Sequence, residues 1–99
     1  MELKFIKYLF ACYYYQSVWD FFISNKDVWV DFIRNEKYDT IHALLNDINI
    51  LSKERSGFIF QKLNEYGEDA SGISFDTEEE AVNFLKDLKG FLENDLKKY

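Results

Sequence analysis

Residues Tyr8 to Phe22 read YLFACYYYQSVWDFF, and eight of these fifteen are aromatic: Tyr8, Phe10, Tyr13, Tyr14, Tyr15, Trp19, Phe21 and Phe22. An aromatic ring carries roughly 150–250 Å² to bury, and a buried Tyr or Trp also needs a hydrogen-bond partner. A chain of 99 residues is one domain. At this size roughly 60–70% of the unfolded surface can be buried, so there is one modest core. That core cannot hide so many rings in several places. Either the rest of the chain packs around this stretch, or part of it faces a partner.

Working outward, Leu3, Ile6, Leu9, Phe10 and Tyr13 keep helical spacing with Glu2, Lys4 and Lys7 between them. The spacing predicts a helix from about residue 2 to about 14. From Tyr13 to Phe22 the periodicity fades, and the chain either extends the helix or turns over it. Ser24 is a good N-cap with Asp27 three residues on, so a second helix is expected from Asn25 to about Asn35. Its apolar face is Val28, Trp29, Phe32 and Ile33.

Asp39 or Thr40 is expected to cap a third helix to about Ser52, striped by Ile41, Leu44, Leu45, Ile48 and Leu51. Ser56 is expected to cap a fourth, with Phe58, Ile59, Phe60, Leu63 and Tyr66 on its face and Gly67 as the glycine just past its end. Gly57 to Phe60 alone also reads as a short strand, but QKLNEYG continues as a helical end. Glu68 to Phe75 reads as a loop. Asp76 or Thr77 caps the last helix in a capping box with Glu79 or Glu80. Ala81, Phe84, Leu85, Leu88, Phe91, Leu92 and Leu96 carry its apolar face, and Lys97 and Lys98 sit at its negative end. Gly90 falls mid-helix. There is no proline to break these helices. The expected fold is all-α: a compact single-domain bundle of about five helices over residues 1–99.

Apolar residues make up 47% of the chain and charged residues 30%, the balance of a folded protein. Twelve basic and eighteen acidic side chains leave a net charge of −6. That disfavours direct nucleic-acid binding and anionic membranes, and favours a basic protein partner or solubility alone. The single cysteine, Cys12, cannot staple the chain, and a reducing compartment is expected. The uncharged run from Tyr8 to Trp19 is bracketed by Lys7 and Asp20 and is too short to span a bilayer. No small-residue cleavage site follows it, so the chain reads as cytoplasmic.

The sequence carries no catalytic motif: no phosphate-binding glycine loop, no two-histidine zinc motif and no paired cysteines. The lone His42 falls off the Ile41–Leu45–Ile48 stripe and reads as a surface residue. Cys12 reads as inert core. Asn46-Asp47-Ile48-Asn49 holds calcium-type side chains but lacks the loop glycine and closing Glu. No catalytic residue, metal or cofactor is therefore expected.

Charge segregation says more. From Leu63 to Leu85 there are seven acids and no base: Glu65, Glu68, Asp69, Asp76, Glu78, Glu79 and Glu80. A five-helix fold is expected to gather them. They read either as a solvated rim with a capped helix start, or as an anionic face for a basic protein, such as the phosphate-binding cleft of a nuclease.

Leu9-Phe10-Ala11-Cys12-Tyr13-Tyr14-Tyr15-Gln16 resembles the opening motif of the CdiI immunity proteins of contact-dependent growth inhibition, roughly aromatic-x-x-Tyr-Phe-His-Gln-Asp-Trp. Tyr13 and Gln16 match, Tyr14 replaces one aromatic with another, and Trp19 is close to the family Trp. Tyr15 stands in place of His and Ser17 in place of Asp, so a role resting on that pair does not carry over. Asp27 to Glu36 looks like the family's second helix, Ile41 to Leu51 its third, and Leu63 to Gly67 its Leu-Gly helix end. The likeness runs from about residue 8 to 93. It implies a helical protein without catalysis of its own. Such a protein binds the C-terminal toxin domain of a cognate CdiA effector, in this family often a nuclease acting on RNA. The alternative is an acidic antitoxin or nucleic-acid mimic of another system. Tyr13, Tyr14, Tyr15, Gln16, Trp19 and Asp20 carry the motif. Their expected role is mainly to lock the first two helices together, with interface as the alternative.

Overall fold

The computed structural model describes residues 2–97; Lys98, expected at the end of the last helix, lies outside them. Five α-helices follow in order: α1 Lys4–Tyr13, α2 Asn25–Asn35, α3 Tyr38–Ser52, α4 Ser56–Ala70 and α5 Glu78–Leu96. A short 3-10 turn, Val18–Asp20, stands between α1 and α2. No strand occurs among the described residues, and Gly57 to Phe60 is helical. The Cα radius of gyration is 12.5 Å, close to that of a single compact domain of this length.

Helix α1 lies against α3 and α4, and α5 packs on the same two helices. The predicted stripes supply the core: Leu3, Ile6, Leu9, Phe10 and Tyr13 from α1 and its approach, Ile41, Leu44, Ile48 and Leu51 from α3, and Ala81, Phe84, Leu85, Leu88 and Leu92 from α5. Phe84 is the hub of the aromatic part. Its ring meets those of Phe10, Tyr14, Trp29 and Phe75 edge-on, with centroids 5.8, 6.0, 5.7 and 5.1 Å away. Each such pair contributes roughly 0.5–1.5 kcal/mol beyond the area it buries. The aromatic stretch that opened the sequence thus meets α2, α5 and the loop before α5 at one point.

Two caps form as the sequence predicts. Ser24 Oγ accepts from Asp27 N at 3.4 Å, and Thr77 Oγ1 accepts from Glu80 N at 3.1 Å. Glu80 returns the bond one residue further back than in a standard capping box, accepting from Asp76 N at 3.0 Å. The other ends differ from expectation. Helix α3 begins at Tyr38 on an Lys37 N-cap, so Asp39 and Thr40 lie inside its first turn. Arg55, not Ser56, is the N-cap of α4, and the Ser56 hydroxyl instead donates to Glu78 Oε1 at 2.7 Å.

Gly67 does not end α4. The helix continues to Ala70 and closes on Ser71, which takes the left-handed conformation at φ 67° and donates its N–H to the Gly67 carbonyl at 2.8 Å. Gly67 serves a close approach instead: a Cβ there would collide with the Ile73 carbonyl oxygen. Helix α1 has no side-chain cap of its own. Asp47 of α3 supplies it, accepting from Phe5 N at 2.7 Å and Ile6 N at 3.4 Å, while the Tyr66 hydroxyl accepts from Leu3 N at 3.2 Å.

Candidate functional site

The second half of the aromatic stretch turns over rather than extending α1. Tyr14 ends the helix, and Val18 is buried beneath the 3-10 turn. Tyr14 is fully buried and works as a pin: its hydroxyl donates to Asn25 Oδ1 at 2.8 Å and accepts from Trp29 Nε1 at 2.9 Å. Both partners belong to α2. Burial drives the Tyr14 hydroxyl well above the usual tyrosine range. Tyr13 is buried beside it and donates to Glu36, with its ring edge-on to Phe32 at 5.0 Å. Burial, and then the Glu36 carboxylate, raise its pKa strongly too. Tyr8 also donates to Glu36, and that bond raises its pKa. Tyr13 and Tyr14 therefore tie α1 to α2. Tyr15 is half-buried, and Gln16 and Asp20 are exposed.

Trp19 is different. It is 46% exposed, yet its indole N–H donates to the Gly72 carbonyl at 2.8 Å. That bond crosses 53 residues of sequence and fixes the ring against the loop after α4. The loop runs back along α4 rather than away from it. Ile73 lies on Gly67, Phe75 N donates to Asn64 Oδ1 at 2.8 Å, Asn64 Nδ2 donates to Phe75 O at 3.0 Å, and Glu78 reaches Ser56. Between this loop and one flank of α5 opens a groove of about 750 Å³. Trp19 and Asn25 line it with Ser71 to Phe75 of the loop and Glu80, Asn83, Phe84 and Asp87 of α5. Its charged lining residues are both acids.

The returning loop also spreads the seven acids, expected to gather, along the length of α4. Glu78 stands at the start of α4, while Glu68 and Asp69 stand in its last turn. Glu68 lies roughly 18 Å along the helix axis from Ser56. Glu68 and Asp69 therefore stand away from Glu78, whereas Glu65 and Asp76 adjoin the residues of the Asn64–Phe75 hydrogen bonds. All seven are exposed. The one ion pair among the described residues is Lys62–Glu65 at 3.6 Å. Of the seven, Glu80 alone lines the groove, and there it joins Trp19.

Asn25, Gly72, Asn83 and Asp87 were not singled out as site residues from the sequence. Asp87 had a readable signal: it follows Glu80 by seven residues, two turns on the same helical flank. Intervening Lys86 ends the base-free segment but lies about 100° round the helix. Two further exposed apolar residues follow Trp19 in the chain: Phe21 at 71% and Ile23 at 95%.

The remaining chemistry-bearing residues lie apart from the groove. His42 is exposed, its ring 5.8 Å from that of Tyr38. Cys12, read from sequence as core, is exposed instead. At 100° per residue it lies roughly 120° from the centre of the α1 stripe. Among the described residues no group of His, Cys, Asp or Glu is placed to hold a metal ion. No helix among them is long and apolar enough to cross a membrane. In comparisons with known proteins, no family model, curated protein or solved structure matches the chain.

Proposed function

We propose that this chain is an immunity protein that binds and neutralises a basic toxin domain, with no catalysis of its own. The partner class that the CdiI resemblance implies is the C-terminal domain of a CdiA effector, a nuclease acting in the cytoplasm. The observation that carries the reading is the groove: an open, aromatic-walled cleft whose charged lining, among the described residues, is Glu80 and Asp87. The acids around it form almost no ion pairs among the described residues, and the net charge is −6. Such a field speeds encounter with a basic surface, and low salt strengthens it.

Exposed apolar residues elsewhere on the surface favour a protein partner over pure mimicry of nucleic acid. Phe21 and Ile23 leave large side chains in water, and full burial of each on binding contributes roughly 1.5–3 kcal/mol. Exposed aromatic and aliphatic anchors beside a charged rim are the usual make-up of an interface centre. The test is survival. Cells expressing the toxin domain encoded beside this chain should die alone and grow when the chain is co-expressed. Continued killing at confirmed expression of both proteins refutes the proposal.

A further inference from the structure

We infer that the groove receives an extended, arginine-bearing segment of the partner protein, its guanidinium plane lying on the Trp19 indole; this rests on the reading of the chain as a binder of a basic protein. Three features of the groove point to that chemistry. Its charged lining residues, Glu80 and Asp87, are both acidic. Neither forms an ion pair among the described residues, and Asp87 also makes no hydrogen bond there. The lysines of α5 that lie near these acids in sequence, Lys86 and Lys89, fall on the opposite polar flank of the helix. Among the described residues, a cation in the groove therefore meets no basic side chain of α5 on that flank.

The second feature is the Trp19 ring. Its N–H is already spent on Gly72, so the ring is held in place before anything binds. A fixed aromatic face with carboxylates nearby selects guanidinium over ammonium. Arginine is planar, weakly hydrated and stacks on indole, whereas lysine is a compact, strongly hydrated point charge. Preorganisation of the ring lowers the ordering cost of binding.

The third is spacing. Glu80, Asn83 and Asp87 form one strip of α5, with the two acids about 10 Å apart along the axis. One guanidinium does not reach both. Two basic residues three apart in an extended segment span about the same length. The Asn83 side chain lies between them as a neutral hydrogen-bonding group.

The test is a titration of the ¹⁵N-labelled chain with the capped tetrapeptide Arg-Gly-Gly-Arg, read at the two tryptophan indole N–H signals. The Trp19 signal should shift and saturate while that of buried Trp29 stays still. The Lys-Gly-Gly-Lys peptide should bind several-fold more weakly, and spermidine should move the Trp19 signal little. The double variant E80Q/D87N should weaken the arginine peptide about five- to tenfold. The amide introduced by E80Q keeps an oxygen for the Asp76 N–H, so the helix start survives. E93Q removes an acid from the far flank and should leave binding unchanged. A still Trp19 signal, equal response to spermidine, or an E80Q/D87N titration matching the parent protein overturns the assignment. The co-expression assay keeps the two readings apart. If the parent chain neutralises the toxin and E80Q/D87N binds it equally well, the groove assignment falls and the immunity reading stands. If the parent chain fails to neutralise while the peptide titration succeeds, the immunity reading alone falls.

Discussion

Replacing Tyr14 with Phe removes one oxygen atom from the centre of the molecule and should cost far more than its size suggests. The ring keeps its contacts with Phe10 and Phe84, so no large cavity forms. What is lost is the pair of hydrogen bonds to Asn25 and Trp29. The buried Trp29 N–H then has no acceptor, a penalty of about 1–3 kcal/mol. Asn25 is only half-buried and can turn to water, adding about 0.5 kcal/mol. The sum, about 1.5–3.5 kcal/mol, is a large part of the stability of a domain this size. Urea unfolding followed by far-ultraviolet circular dichroism should show the midpoint falling by about 1–2 M with an unchanged slope. The thermal midpoint should drop by roughly 10–20 °C. Tyr15→Phe is the control: its hydroxyl has no partner among the described residues, so the cost should stay within about 0.5 kcal/mol. A Y14F protein as stable as Y15F refutes the hydroxyl as the pin between α1 and α2.

Asp47→Ala should lose about 1–2 kcal/mol in urea unfolding, because it uncaps α1 from the neighbouring helix, while Asp47→Asn should keep most of it. Gly67→Ala should destabilise by about 1–3 kcal/mol, since its Cβ runs into the Ile73 backbone oxygen; the displaced loop should also shift the Trp19 indole signal. Gly90→Ala, with nothing within 4 Å, should gain about 0.5–1 kcal/mol. Stability should also fall in alkali. The native Tyr14 pKa lies above its unfolded value of 10.0, so folding favours the neutral phenol. Its contribution is complete below pH 10 and is lost as pH rises towards the native pKa, because the unfolded chain releases a proton that the native state keeps. The slope is at most about 1.4 kcal/mol per pH unit for this group, and Y14F should remove that share from a urea series run at about pH 9 to 11.5.

What was legible in the sequence was local. The apolar stripes, the Ser24 and Thr77 caps and the helix count depend on neighbours three or four residues apart. What was not legible depends on contacts across the chain. The α1 cap comes from Asp47, and nothing near Leu3 announces it. Gly67 reads as a helix stop, yet its missing Cβ serves the Ile73 backbone six residues later, and the helix runs on. The acids read as one face because they are close in sequence, but the loop doubles back and spreads them along α4. Trp19 and Glu80 were both named, for separate reasons. The hydrogen bond from Trp19 to Gly72 holds the first against the loop of the groove lined by the second.

The most direct test is the affinity of the chain for the C-terminal toxin domain of an effector encoded beside it, measured by calorimetry at low and high salt. Two variants are compared with the parent: E78K/E79K/E80K and the milder E78Q/E79Q/E80Q, each checked for folding by circular dichroism. The account predicts tight binding by the parent. It predicts a marked loss with lysine, a smaller loss with glutamine, and a shrinking difference as salt screens the contact. A complex of typical size buries on the order of 1,600 Å². Absence of binding by the parent contradicts the account, and unchanged binding by the folded lysine variant at low salt contradicts its placement of the interface.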